Sequence, residues 1–212
     1  MVLGIQLIVD LGGGPDAWAP FFLNLGLSRE GFLSGKIWQI VSYGFLHGGW
    51  WHVGVNALFV LLIGARIEHI AGRAAMLVAL FAGILGGGLC HLLLGSGLLV
   101  GISGGGIALL LLLTTLSPES RMFPLPLSAK SLGLGILLAA LLLTLINPTL
   151  KLPGMGGIGK FLIEQGVGSL FQIGHACHLG GGLAGWLYGR WILRPRVTLE
   201  SLRRERARRE AD

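Results

Sequence analysis

Gly101-Ile102-Ser103-Gly104-Gly105-Gly106 leads straight into Ile107 to Leu116, a stretch without a single charge. The apolar run reads as the body of a membrane helix, and the hydroxyl at its head is flanked by glycines. Two readings fit such a serine. It is a buried nucleophile, or it belongs to a packing seam and only hydrogen-bonds a carbonyl one turn back. Residues elsewhere decide between them: His47, His52, Asn56 and His178 each lie on or beside another apolar segment.

The 212 residues are 53% hydrophobic and 12% charged, with a mean hydropathy of +0.76. Soluble domains carry about 25% charged residues, so the chain reads as an integral membrane protein whose first partner is the lipid bilayer. Its 37 glycines sit inside the apolar runs, which fits helices packed close together. Cys90 and Cys177 both fall in expected spans, which suggests neither a disulfide framework nor a cysteine-based metal site. The net charge of +6 is not a nucleic-acid signal. Half of the 16 basic residues are the arginines from Arg190 to Arg209, after the last apolar segment, where a cytoplasmic flank belongs. The N-terminus lacks a basic n-region, so no signal peptide is expected.

A helix needs about 20 apolar residues to cross a bilayer. Met1 to Leu11 is apolar but short, contains Asp10, and reads as a shallow first helix or part of a longer one. Asp16 to Gly49, with Trp18, Trp38 and Tyr43, is expected to be a loop at the membrane interface. Further spans are Trp51 to Ile67, Ala74 to Leu94, Gly101 to Leu116, Ser131 to Ile146 and Leu170 to Leu193. Ser117-Pro118 and Asn147-Pro148 supply stop signals. The proline-bearing Glu119 to Lys130 and the glycine-rich Thr149 to Ser169 are read as loops. The expected fold is an all-α bundle of six transmembrane helices over residues 1–193, with a basic cytoplasmic tail over 194–212.

Alternation sorts the charges. One side carries Arg66, Arg73, Arg121, Lys130 and the eight tail arginines; the other carries Arg29, Lys36, Lys151 and Lys160. The positive-inside rule puts the richer side in the cytoplasm. Ser103, His52 and His178 then come out at a similar depth, a little below the outer surface.

Helix periodicity allows two of them to meet. At about 100° per residue, Gly181, Gly185 and Gly189 lie within roughly 60° of His178, and Gly106 lies about 60° from Ser103. Small residues let backbones approach, so packing of these faces would bring hydroxyl and imidazole within hydrogen-bond reach, the geometry of a nucleophile and its base. Of the acidic residues only Asp10 lies in a span near that depth, so the expectation is a Ser103–His178 dyad. His52 and Asn56, four apart, share a helix face. With the Ser103 N–H at a helix start they suit an oxyanion hole. His47 and His52 could instead be interfacial histidines, Asn56 a tie between helices, and His175 packing; His91 has no assigned role. Gly101-x-Ser103-x-Gly105 matches the soluble-hydrolase elbow, but that motif needs a preceding strand and an acid between serine and histidine. A metal set of His47, His52, His175 and His178 has the right ligand type but no H-E-x-x-H and no acidic companion, so no metal is expected.

Trp38 with Phe45-Leu46-His47, His52-x-x-x-Asn56, Gly64-x-x-x-Glu68-x-x-x-Gly72, Gly101-x-Ser103-Gly104 and His178-Leu-Gly-Gly181-x-x-x-Gly185 occur in this order. Together they resemble the rhomboid family of intramembrane serine proteases. The resemblance implies cleavage of transmembrane protein substrates by water near the outer membrane boundary, without cofactor. It implies Ser103 as nucleophile, His178 as base and then acid, and His52, Asn56 and the Ser103 N–H as oxyanion donors. Gly101, Gly104, His47 and Gly181 would support them, in a multi-pass protein of a bacterial inner membrane with a cytoplasmic C-terminus. Gln39 stands where the family commonly has Arg, and Ile107 replaces a common aromatic. Substrates would need a segment that unwinds locally, with Thr149 to Ser169 as a lid. The alternative reading is a non-catalytic relative that binds transmembrane segments.

Overall fold

The computed structural model describes residues 1–121, 126–194 and 199–211. Pro124 of the expected loop and Arg196 and Asp212 of the tail lie outside them. In chain order the helices are α1 (Val2–Leu11), α2 (Gly14–Ala17), α3 (Ala19–Leu25), α4 (Arg29–Leu33), α5 (Gln39–Ser42), α6 (Trp50–Ala71), α7 (Arg73–Leu94), α8 (Ser103–Leu116), α9 (Ala129–Leu145), α10 (Met155–Leu162), α11 (His175–Ile192) and α12 (Leu199–Ala211). Among the described residues there is no β-sheet, only the isolated bridges Leu27–Leu99 and Arg121–Ser128.

Two helices, α6 and α7, are long and apolar enough to cross a membrane, at 22 residues each. They correspond to a rise of about 33 Å, against about 30 Å of hydrocarbon. Gly72, at φ 87°, turns the chain between them, a conformation that a side chain would strain. The shorter apolar helices α1, α8 and α9 accompany them.

The 14-residue α8 is the centre of the molecule. Gly104, Gly105, Gly106 and every residue from Ala108 to Thr114 are buried, so this helix turns apolar residues to all sides because it has neighbours on all sides. Helices α6, α7, α9 and α11 pack around it. Leucines from 109 to 113 form one core cluster with Ile63, Ile67, Ala79 and Ala129. A second cluster, Leu27, Tyr43, Ile84, Leu99, Ile102 and Cys177, lies nearer the head of α8. Leu58, Leu61 and Leu62 on α6 and Leu134, Leu138 and Leu142 on α9 point outward and exposed, the surface of a membrane protein. Lipid tails are as apolar as leucine, so close packing rather than transfer from water holds such helices together.

Three expectations change. Asp16 to Gly49 is largely short helices rather than irregular loop. Its turns are capped locally, Ser28 Oγ accepting from Gly31 N, and tied by the buried Gln39. Gln39 Nε2 donates to Leu23 O (3.1 Å) and Asn24 O (3.3 Å), and its Oε1 accepts from Ser28 N. A neutral carboxamide, donor and acceptor at once, thus organises the loop from the position that drew notice for lacking Arg. Thr149 to Ser169 contains α10 and a π-turn (Ile163–Val167). The last apolar helix begins at His175 rather than Leu170, because Gly168–Gln172 is a 3-10 turn and Ile173 is extended. Gly174 follows, and a Cβ there would lie 2.8 Å from a methyl of Leu99.

Candidate active site

Ser103 is the first residue of α8 and His178 lies in the first turn of α11. With the ring proton on Nδ1, the Ser103 hydroxyl donates to His178 Nε2 across 2.9 Å. The contact follows from the seam below it. A Cβ added to Gly181 would run into Gly104 O and come 2.9 Å from Gly104 Cα. One added to Gly185 would lie 2.6 Å from Ala108 Cα, and one on Gly189 2.8 Å from Thr115 Cβ. The glycine face of α11 therefore rests on the backbone of α8 at Gly104 and Ala108. Gly106, expected on this face, turns instead toward Phe59 of α6. Helix α7 joins with its own glycines, Gly83 against Gly105 and Gly87 against Cys177. Ile107 packs beside Gly182, one turn below His178.

Gly181→Ala is expected to push α11 off α8. Inserting a methyl into a filled contact costs about 1–3 kcal/mol, so the melting temperature should fall, and serine reactivity should fall with it because the hydroxyl–imidazole contact lengthens. Thermal unfolding in detergent and fluorophosphonate labelling check both.

The head of α8 is held from three directions. Leu27 and Leu99 exchange backbone hydrogen bonds of 3.0 and 2.8 Å, and Gly101 N donates to Tyr43 O at 3.0 Å. His91, buried near the end of α7, contacts Gly97 O through Nε2 at 3.3 Å, which gives that histidine a structural role. Gly101 has φ 115°, open to glycine alone. A Cβ there would lie 2.8 Å from the His52 ring and 3.5 Å from Asn56 Nδ2. His52 and Asn56 thus face the chain just before Ser103. Asn56 Nδ2 is buried and has no hydrogen-bond partner. His47 packs edge-on against His52, with ring centroids 4.9 Å apart. Burial, and then the neighbouring His52, push the His47 imidazole down to about 4, so it meets His52 uncharged at neutral pH.

A cavity of about 550 Å³ opens over these groups, lined by Trp51, His52, Asn56, His91, Ser103, Thr144, Asn147, Ser169, Gln172, His175 and His178 among others. None of its lining residues is acidic, and Asp10 lies exposed on α1. Of the expected lid only Ser169 reaches the cavity; the wall on that side is Ser169 with Phe171 to Gly174. His175 Nε2 contacts Leu170 O at 2.7 Å and so fastens that wall to α11. The histidines weighed as metal ligands form two edge-on pairs, His47–His52 and His175–His178, and among the described residues no three candidate ligands converge.

Tyr43 escaped the reading of the sequence. Its hydroxyl donates to Ile84 O (2.7 Å) and lies 3.5 Å from Cys177 Sγ, beside His178, while its carbonyl holds Gly101. An aromatic in a segment read as interfacial carried no sign of this.

A family model described as Rhomboid domain matches residues 34–195. "Rhomboid-like protein 16, chloroplastic" of Arabidopsis thaliana is 39% identical over 64 residues, 30% of this chain and 20% of that protein. "Rhomboid-related protein 3" of Homo sapiens is 30% identical over 70 residues, 33% of this chain and 17% of that protein. The aligned stretches span a fifth or less of either relative's length. The match over residues 34–195, from ahead of the Gln39 hub to beyond the end of α11, covers most of the molecule and all of the Ser103–His178 site, and the chain belongs to the rhomboid family.

Proposed function

We propose that the protein is an intramembrane serine protease that hydrolyses peptide bonds of transmembrane substrates near the outer membrane boundary. The observation that carries the reading is the 2.9 Å contact between Ser103 Oγ and His178 Nε2 on the wall of a cavity that also holds an unpartnered amide donor. On this reading α1, α6, α7, α8, α9 and α11 make up the six-helix bundle, with the ten-residue α1 as its short first helix. The arginines after α11 favour a cytoplasmic C-terminus by the positive-inside rule, and we read the membrane as a bacterial inner membrane.

His178 takes the hydroxyl proton as Ser103 Oγ attacks the substrate carbonyl carbon. The carbonyl oxygen becomes an oxyanion, met by Asn56 Nδ2, the His52 ring and the Ser103 N–H, which at the first position of α8 lacks an intrahelical acceptor. The C–N bond breaks, the imidazolium gives its proton to the leaving amine, and the acyl group stays on Ser103. Water, deprotonated by the same ring, then releases the acid and restores the serine. None of the described cavity-lining residues is a carboxylate, so the developing oxyanion is the counter-charge that the imidazolium meets there.

Labelling with a fluorophosphonate probe tests this. Wild-type protein should form a covalent adduct that Ser103→Ala and His178→Ala both abolish. Absence of labelling in folded wild-type protein would favour the alternative, a non-catalytic relative that binds transmembrane segments. Retention of both dyad members weighs against that alternative.

A helical peptide bond is shielded by its own hydrogen bonds, so cleavage requires local unwinding. Substrates with small or helix-weakening residues around the scissile bond should be cut at least about tenfold faster than versions with poly-leucine spans. Equal rates in proteoliposomes would refute this preference.

A further inference from the structure

Helix α10 is built inside out. It buries Gly156 and Gly159, and a Cβ on Gly159 would run into Ile146 O and meet Pro148 at 2.8 Å. Two of its large apolar residues face away, Ile158 at 50% and Phe161 at 57% exposure, while Met155 and Leu162 are half-buried. At about 100° per residue the Ile158–Phe161 direction lies about 160° from the glycine direction. In water such a helix would turn over; an outward apolar face on a membrane protein calls for an apolar surrounding.

We propose that α10 is an interfacial helix, seated in the membrane surface at the end where the cavity opens, with Ile158 and Phe161 among the lipid acyl chains. Three observations select lipid as the occupant. The helix adjoins the end of α9, whose Leu138, Leu141 and Leu142 are exposed, so both neighbouring elements present apolar residues outward. Eight residues are too short to cross a bilayer, which leaves a position along its surface. Lys160, about 130° round from the Ile158–Phe161 direction, is exposed, as are Lys151 and Glu164 beyond the two ends of the helix, so charged groups that can reach headgroup phosphates flank the helix away from its apolar face.

The placement has a mechanical result. The π-turn Ile163–Val167, with Gly166 at φ 83°, joins α10 to the 3-10 turn Gly168–Gln172, which walls the cavity. One end of that wall is thus fastened to the lipid and the other, through the His175 ring and Leu170 O, to α11.

The test is independent of the chemistry at Ser103. An environment-sensitive fluorophore on Phe161→Cys or Lys160→Cys, in full-length protein reconstituted into phosphatidylcholine vesicles, reports depth; the unsubstituted chain, with its partly buried Cys90 and buried Cys177, serves as blank. The label at 161 should emit to the blue and lose about half its intensity to lipids brominated near the top of the acyl chain, and less to lipids brominated near its end. The label at 160 should respond to aqueous iodide instead. Iodide quenching at 161 equal to that at 160 overturns the proposal, since the face is then in water. Insensitivity of 161 to both quenchers also overturns it, because protein then covers the face, and cross-linking at 161 would identify a second copy as the cover. Failure of the protease reading would leave these outcomes unchanged.

Discussion

His178→Ala is expected to lower peptide-bond hydrolysis by about 10⁴- to 10⁶-fold, the range seen when the base of a nucleophilic serine is removed. None of the described cavity-lining residues is acidic, and the neighbouring His175 ring is engaged with Leu170 O, so neither a carboxylate nor that ring stands ready to replace it. The loss should fall on kcat and leave KM within about a few-fold, since a general base acts in the transition state rather than in substrate binding. Folding should be spared: the contact between α8 and α11 is carried by Gly181, Gly185 and Gly189, not by the imidazole. Cleavage of a fluorogenic transmembrane substrate in proteoliposomes, beside a thermal melt, separates the two effects. A residual rate within about tenfold of wild type would remove His178 from the role of base.

Asn56→Ala is the sharper test of how the site is built. Loss of one oxyanion donor costs about 10²- to 10³-fold in kcat, roughly 3–4 kcal/mol. The same substitution should leave stability unchanged or raise it, because Asn56 Nδ2 is buried without a partner and its removal relieves an unpaired donor. If Asn56 merely tied helices together, the opposite pattern would appear, with a lower melting temperature and activity falling only in proportion. The pair of readouts, kcat and the melt on one variant, therefore distinguishes a group stored for the reaction from a group that holds the fold.

Much of the site was legible because its parts obey simple periodicities. Gly181, Gly185 and Gly189 recur at helical spacing beside His178, and His52 and Asn56 at one turn. Such spacings survive translation into three dimensions whatever the neighbours are. What pairs with a face does not follow from its own period, and so Gly106 was placed toward α11 when Gly104 and Ala108 occupy that position. The non-local ties were invisible for the same reason. Tyr43 reaches Ile84 and Cys177, and Gln39 reaches Leu23 and Asn24, through contacts far apart in sequence. The boundary at His175 escaped because an apolar run from Leu170 conceals a backbone break at Ile173 and Gly174. The segment Asp16 to Gly49 looked irregular because its helices are too short to show a period.

The spacing between α8 and α11 is set by one backbone lying on another, with Gly181 against Gly104 and Gly185 against Ala108. A gauge of this kind has no intermediate settings. The smallest change available to a mutation is a whole methyl group, so the distance cannot drift by small steps as it could between leucines and valines. Variation in reactivity among descendants of this chain should therefore arise around the cavity mouth, where side chains of many sizes are admissible, while the seam beneath is inherited unaltered or lost outright.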